Sequence, residues 1–328
     1  MTNRPPVDYN TLNEPKENVM EGQAIGADRI HHVLVVGAGT MGRQIAWQCA
    51  SRGFAVTLTD VDDHALAGAA RAIDRFAASA VAGGLLARDV ADAALARVRA
   101  TLEPDTTTVD LVSESVYEDP ALKAEVFAQL HAACPPTTLF TTNTSTLLPS
   151  MVAAATGRPD RFCALHFHLP VWSANVVDVM AHPGTSPATL ATVAAFARRL
   201  GQIPIVLRQE HAGYVFNDMF NALNTAAINL VAQGVVPIED VDRAWMGIMK
   251  MPLGPGGWLD DIGLDTVWRI TDFWANLVAD PRLRQNADFL KDYVDAGRLG
   301  RKAGRGFYDY PNPAYTAPGF LSPDEDGQ

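Results

Sequence analysis

Residues Val33 to Asp60 read VLVVGAGTMGRQIAWQCASRGFAVTLTD. An apolar run, Val33-Leu34-Val35-Val36, meets a glycine turn, then a helical pattern, then a second apolar run closed by an acid. Each residue type serves a dinucleotide. Gly37 allows a tight turn, Gly39 lets the backbone approach a pyrophosphate, and Gly42 lets the helix pack close to the strand. Thr40 and Met41 open the helix, whose free amides and positive dipole end receive phosphate charge. Asp60 can accept from both adenosine ribose hydroxyls and repels a 2′-phosphate, so NAD is expected over NADP.

The rest of the chain sets what such a unit is built into. Its 328 residues exceed the usual size of one core, and two domains are expected. The net charge of −11 argues against a nucleic-acid partner and an anionic membrane surface. Cys49, Cys134 and Cys163 are too few and too scattered for a disulfide or metal framework, and read as small buried apolar residues. No run reaches transmembrane length, and the N-terminus lacks a basic start followed by an apolar segment, so a cytoplasmic protein is expected.

Residues 1–30, with Arg4-Pro5-Pro6 and Asn13-Glu14-Pro15, read as a flexible arm. After the first strand–helix–strand unit, an alanine-rich stretch to about Leu102 reads as two helices joined at Gly83-Gly84. A strand at Val109–Val112, a helix at Lys123–Ala133, a strand near Thr138–Thr142 and a helix from about Pro149 follow. Strand-like runs at Cys163–Leu169 and Asn175–Met180 precede a helix at Pro187–Leu200 and a last strand at Ile203–Leu207. Beyond Gly213 the pattern is helical, over Asn217–Gln233, Ile238–Met249 and Asp265–Leu277. Strands alternating with helices, then helices only, predict a doubly wound α/β Rossmann-type domain over 31–208 and an all-α domain over 209–328.

Three polar stretches carry candidate chemistry. Thr141-Thr142-Asn143-Thr144-Ser145-Thr146 follows a strand expected to be parallel, where loops line the ligand crevice; capping of the next segment is the competing role for most of its hydroxyls. In Leu165-His166-Phe167-His168-Leu169 the strand period puts both histidines on one face. Histidine is the natural base for a hydroxyl proton near neutral pH, and a hydrogen-bonded structural role competes for at least one of the two. No third ligand stands at a recognised zinc spacing, so no metal is expected. Asp178, inside Val176-Val177-Asp178-Val179-Met180, needs a partner there; if the two runs pair as a hairpin it can reach His166 and favour its imidazolium. A separate ion-pair role is the other reading.

The glycine motif, Val112-Ser113-Glu114-Ser115-Val116-Tyr117-Glu118, Thr142-Asn143-Thr144-Ser145, Leu165-His166-Phe167, Gly213-Tyr214-Val215-Phe216-Asn217, Pro252-Leu253-Gly254-Pro255 and the run from Gly300 to Tyr308 occur in that order. Together they resemble the NAD-dependent L-3-hydroxyacyl-CoA dehydrogenases over about 31–310. The resemblance implies His166 as catalytic base with Asp178 where the family usually has glutamate, and Ser145 and Asn217 at the substrate oxygen or the histidine. It also implies Glu114, Lys123 and Asn143 beside the nicotinamide and its ribose. The paired helices would help cradle a CoA tail, and the second domain would carry a homodimer interface.

Two departures stand out. The family commonly reads His-Phe-Phe-Asn-Pro, whereas this chain reads His166-Phe167-His168-Leu169-Pro170. Its paired helices are poor in lysine, with Arg71, Arg75, Arg88, Arg97 and Arg99 supplying the positive charge. The implied reaction is NAD-dependent oxidation of an (S)-3-hydroxyacyl-CoA, or its reverse. The alternatives are a same-fold dehydrogenase of an acyl-carrier-protein thioester or free hydroxy or sugar acid, and a non-catalytic NAD-binding structural protein. Retention of Ser145, His166 and Asn217 argues against the last.

Overall fold

The computed structural model describes residues 26–322. It divides into two compact units between Val215 and Phe216. In the first, β1 (His32–Val36) leads through the glycine turn to α1 (Thr40–Ser51) and β2 (Ala55–Thr59). The helices α2 (Asp63–Ala82) and α3 (Arg88–Leu95) precede β3 (Val98–Ala100). Then come β4 (Leu111–Glu114), α4 (Pro120–Ala133), β5 (Leu139–Thr142), β6 (Phe162–Phe167), β7 (Val176–Met180), α5 (Pro187–Arg199) and β8 (Ile203–Leu207).

The strands form one sheet in the order β3-β2-β1-β4-β5-β6-β7-β8, parallel throughout except that β6 and β7 are antiparallel. Strand alternation splits the core into two layers. Val33 and Val35 face one way and pack with Ile45 of α1, Ile73 of α2 and Phe196 of α5. Leu34 and Val112 face the other way and pack with Phe127 of α4, Phe140 and Phe162. Burial on both faces explains why these strands are apolar runs with little polar interruption. Strand order reverses between β1 and β4, which makes the carboxyl ends of those strands the ligand crevice expected of such a sheet.

Three expectations are corrected. The helix expected from Pro149 is instead a pair of 3-10 turns, Pro149–Met151 and Ala153–Thr156. Gly157 ends the run at φ 62°, where a Cβ would lie 2.5 Å from the His131 ring. The second of the paired helices, expected to reach about Leu102, ends at Leu95, and Val98–Ala100 form the edge strand β3, since three residues are too short to show a period. The arm expected over 1–30 is packed at its described end. Ile30 is fully buried, and Arg199 donates to the carbonyls of Ala27 and Ile30. The remainder of that arm lies outside the described residues.

The second unit contains α6 (Phe216–Ala232), α7 (Ile238–Met249), α8 (Pro255–Ile262), α9 (Leu264–Val278) and α10 (Pro281–Asp295). Its core joins Ile228, Leu259, Leu264, Leu290 and Phe307. Two buried acids fasten it. Asp242 accepts from the amides of Gly256 and Gly257, capping α8, and from the Tyr308 hydroxyl. Asp260 accepts from the amides of Phe307 and Tyr308 and from the Tyr310 hydroxyl. Gly306 is required there, because its Cβ would lie 2.0 Å from Asp260 Oδ1. These contacts hold the start of α8 and the Gly300–Tyr308 motif in place. No described helix is long and apolar enough to cross a membrane.

Candidate active site

The three glycines of the first turn differ in what surrounds them. Gly37 has φ 101°, and a Cβ would meet the Ser115 carbonyl at 2.6 Å. A Cβ on Gly42 would lie 1.8 Å from the Gly37 carbonyl, so α1 reaches this close to the turn only with glycine. Gly39, in contrast, has nothing within 4 Å of its would-be Cβ. Thr40 and Met41 begin α1, and no side chain caps its N-terminus. The turn therefore presents open space and unspent amides where a pyrophosphate would approach, which fits a dinucleotide. Asp60, just past β2, accepts from the Ala38 amide at 2.6 Å and the Asp62 amide at 3.1 Å. Its carboxylate is thus held beside the turn.

Across the strand-order reversal, Glu114 ends β4 opposite Val36 on one side and Thr142 on the other. Glu114 is fully buried and Lys123 of α4 is 1% exposed; their charged atoms lie 2.7 Å apart. Glu114 also accepts from the Val116 amide and the Thr142 hydroxyl. A buried pair of this kind is viable because each carboxylate oxygen has a donor; removing one partner typically costs about 3–5 kcal/mol. Lys123 reaches Glu118 as well, at 3.3 Å. Glu118, not singled out in the sequence, accepts from the Thr144 hydroxyl and from the Ser145 and Thr146 amides. The loop after β5 is therefore tied to the loop after β4. Thr144 also accepts from the Leu147 amide, a turn within the loop and not the expected helix cap, since the next 3-10 turn has no side-chain cap.

Asn143 and Ser145 occupy the carboxyl end of β5, beside that of β6. Asn143 Oδ1 accepts from the Phe167 amide at 2.8 Å, locking the two strand ends together. Ser145 is half-buried, with its hydroxyl 3.4 Å from that of Thr146.

The hairpin register puts His166 directly opposite Asp178. His166 Nδ1 lies 3.1 Å from Asp178 Oδ2, and His168 Nε2 lies 3.2 Å from the same oxygen. Asp178 is fully buried and His166 is 5% exposed. Burial pushes the Asp178 carboxyl up, but hydrogen bonds and charge from the two histidines together outweigh it and leave it below the usual carboxylate value. An ionised carboxylate only accepts, so the facing ring nitrogens donate. In a neutral His166 ring that leaves the lone pair on Nε2, the arrangement a base requires. Potential ligand atoms of His166, His168 and Asp178 lie within 4.8 Å, so Asp178 supplies the third group that sequence spacing lacked. Both ring nitrogens lie within hydrogen-bond distance of the one Asp178 oxygen.

Tyr214, present in a quoted motif but not selected as a site residue, packs its ring 4.8 Å from that of His166. It has φ 55°, unusual for a non-glycine residue, and burial drives its phenol pKa upward. Asn217 lies in the first turn of α6, in the second unit. The four residues expected for catalysis thus divide: Ser145, His166 and Asp178 in the first unit, Asn217 in the second. The five arginines of the α2–β3 region are all exposed. All three cysteines are free and buried as expected, with burial pushing the Cys49 and Cys163 thiols up to about 12 and that of Cys134 to about 11.

Comparison with known proteins places this architecture. Residues 32–211 match the 3-hydroxyacyl-CoA dehydrogenase NAD-binding domain, and residues 213–310 match the C-terminal domain of the same family. The chain is 35% identical over 283 residues to the probable 3-hydroxybutyryl-CoA dehydrogenase of Bacillus subtilis, covering 86% of this chain and 98% of that relative. It is similar to the solved structure of a diketoreductase that acts on dicarbonyl compounds, with 38% identity, a TM-score of 0.79, and coverage of 86% and 99%. The (S)-3-hydroxybutyryl-CoA dehydrogenase of Ralstonia eutropha is 31% identical, with a TM-score of 0.79 and coverage of 86% and 100%. The chain belongs to the 3-hydroxyacyl-CoA dehydrogenase family and is an NAD-dependent oxidoreductase.

Proposed function

We propose that this protein interconverts an (S)-3-hydroxyacyl-CoA and the 3-oxoacyl-CoA, with His166 exchanging the hydroxyl proton. The observation that carries the reading is the Asp178–His166 pair at the carboxyl end of β6, 3.1 Å apart and shielded from water. In oxidation, His166 Nε2 takes the proton of the substrate hydroxyl, and Asp178 balances the imidazolium that forms. In reduction, the same nitrogen returns the proton to the ketone oxygen. Bound NAD supplies the hydride acceptor, or NADH the donor. Ser145 orients the substrate oxygen, while Gly37, Gly39, Thr40, Met41, Gly42 and Asp60 hold the adenosine and pyrophosphate. Glu114, Lys123 and Asn143 serve the nicotinamide side.

A second reading, reduction of a dicarbonyl compound without CoA, is favoured by the 38% identity to a diketoreductase and by the lysine-poor α2 and α3. NADH oxidation with acetoacetyl-CoA beside acetoacetyl-pantetheine separates the two. The CoA reading expects kcat/KM at least about tenfold higher on the CoA ester, since lost contacts of about 1.4 kcal/mol already give that factor. Equal rates on both esters would transfer the assignment to the second reading.

Homodimerisation through the second unit is part of the same proposal. Ile270, Phe273, Trp274 and Leu277 of α9 are spaced i, i+3, i+4, i+7 and are 42–62% exposed. An apolar helical row of that kind calls for a partner surface. Equilibrium sedimentation is expected to give twice the 35.3 kDa chain mass, and a monomer at micromolar concentration would refute it.

A further inference from the structure

We infer that His168 is a positioning residue that shares Asp178 with His166 and thereby sets the pH range over which His166 exchanges its proton; this rests on the reading of His166 as the base. Asp178 Oδ2 faces His166 Nδ1 at 3.1 Å and His168 Nε2 at 3.2 Å, while its buried Oδ1 has no hydrogen-bond partner among the described residues. One oxygen thus serves two imidazoles whose ring centroids are 4.5 Å apart. A single carboxylate balances one imidazolium. A second proton would leave net positive charge beside a fully buried acid, so protonation of either ring opposes protonation of the other.

The charges that act on the Asp178 carboxyl most strongly are those of the two histidines. On β7 the only titratable residue is Asp178, and β8 has none. Beyond the triad, Tyr214 packs against His166, and Glu118, Cys163 and Glu210 are the other groups whose charge acts on that phenol. The His168 side chain is 16% exposed against 6% for His166, so solvent reaches it more readily. A proton taken up by His168 keeps His166 neutral, and therefore basic, to lower pH. Hydrogen bonding from His168 also withdraws part of the carboxylate from His166. His168 additionally fixes the carboxylate of the short aspartate from a second direction.

The test compares kcat/KM against pH for the wild type, His168→Phe and His168→Gln. Alongside, the His166 Cε1–H signal is titrated by NMR without substrate. Removing the competing ring favours the His166 imidazolium. In His168→Phe the acid limb of alcohol oxidation, which needs neutral His166, is expected to move up by about one pH unit. The alkaline limb of ketone reduction, which needs the protonated ring, should move up equally. His168→Gln, which retains a donor but no charge, should move both limbs by less, and it stands in if the Phe variant does not fold. A lower kcat with unmoved limbs and an unmoved His166 titration would reduce His168 to packing and overturn the inference. If no ester is turned over, the proposed function fails. The NMR shift then still decides the coupling.

Discussion

Replacing His166 by alanine is expected to lower kcat for acetoacetyl-CoA reduction by about 10²–10⁴-fold, the usual contribution of a positioned general acid–base. NADH affinity should be nearly unchanged. The two effects separate because the imidazole and the glycine turn stand on different strands of the sheet, β6 and β1, with β4 and β5 between them. His166 is 5% exposed and its Nδ1 is committed to Asp178, so only Nε2 is available to a substrate oxygen. Alanine leaves no group at that position able to take the proton. It also leaves Asp178 buried beside His168 alone, at 3.2 Å, so the acid keeps a partner and the unit should fold. Steady-state rates with a fluorescence titration of NADH check both halves. A fall of less than tenfold would mean the proton leaves by another route, and His166 would lose its assigned role.

That pairing also shows how far the sequence could be read. The alternation around His166 and the acid inside Val176–Met180 put a histidine–aspartate contact within reach, provided the two strands form a hairpin; the observed register supplies that condition. The glycine turn was legible because Gly37 and Gly42 answer to close approaches of the backbone, while Gly39 leaves the opening a ligand needs. Less accessible were contacts made across the sheet. Glu118 binds the Thr144–Thr146 loop from another strand's connection, and Tyr214 packs its tilted ring against His166 from far along the chain. Neither has a local pattern, because nothing in the neighbouring residues requires that partner. His168 was visible as a second histidine on the same face, yet its sharing of Oδ2 is made across the paired strands and leaves no mark in the neighbouring residues. The stretch from Pro149 misled for a different reason. Its alanines favour helix, while Gly157 and the proximity of His131 stop it within two turns.

Alanine at Gly39 and alanine at Gly42 are expected to fail differently, and the difference tests how the cofactor is held. At Gly39, φ is −68° and nothing lies within 4 Å of the added methyl, so the fold accepts alanine with an unchanged or slightly raised melting temperature. The methyl projects into the space where the pyrophosphate would meet the amides of α1, and NADH affinity should fall about tenfold or more. At Gly42 the methyl would lie 1.8 Å from the Gly37 carbonyl, backbone against backbone, so either the turn or the start of α1 must move. Overpacking of this sort costs roughly 1–3 kcal/mol. For a unit of this size that corresponds to a melting temperature about 3–10 °C lower. Because the same shift moves the amides away from the phosphate, NADH affinity should fall by about 10–100-fold as well. Thermal melts and NADH fluorescence titrations of the two variants read both quantities. Gly39→Ala with unchanged affinity would mean that the phosphates do not approach α1 through this opening, and the placement of the dinucleotide along β1 would be wrong even though the fold is right.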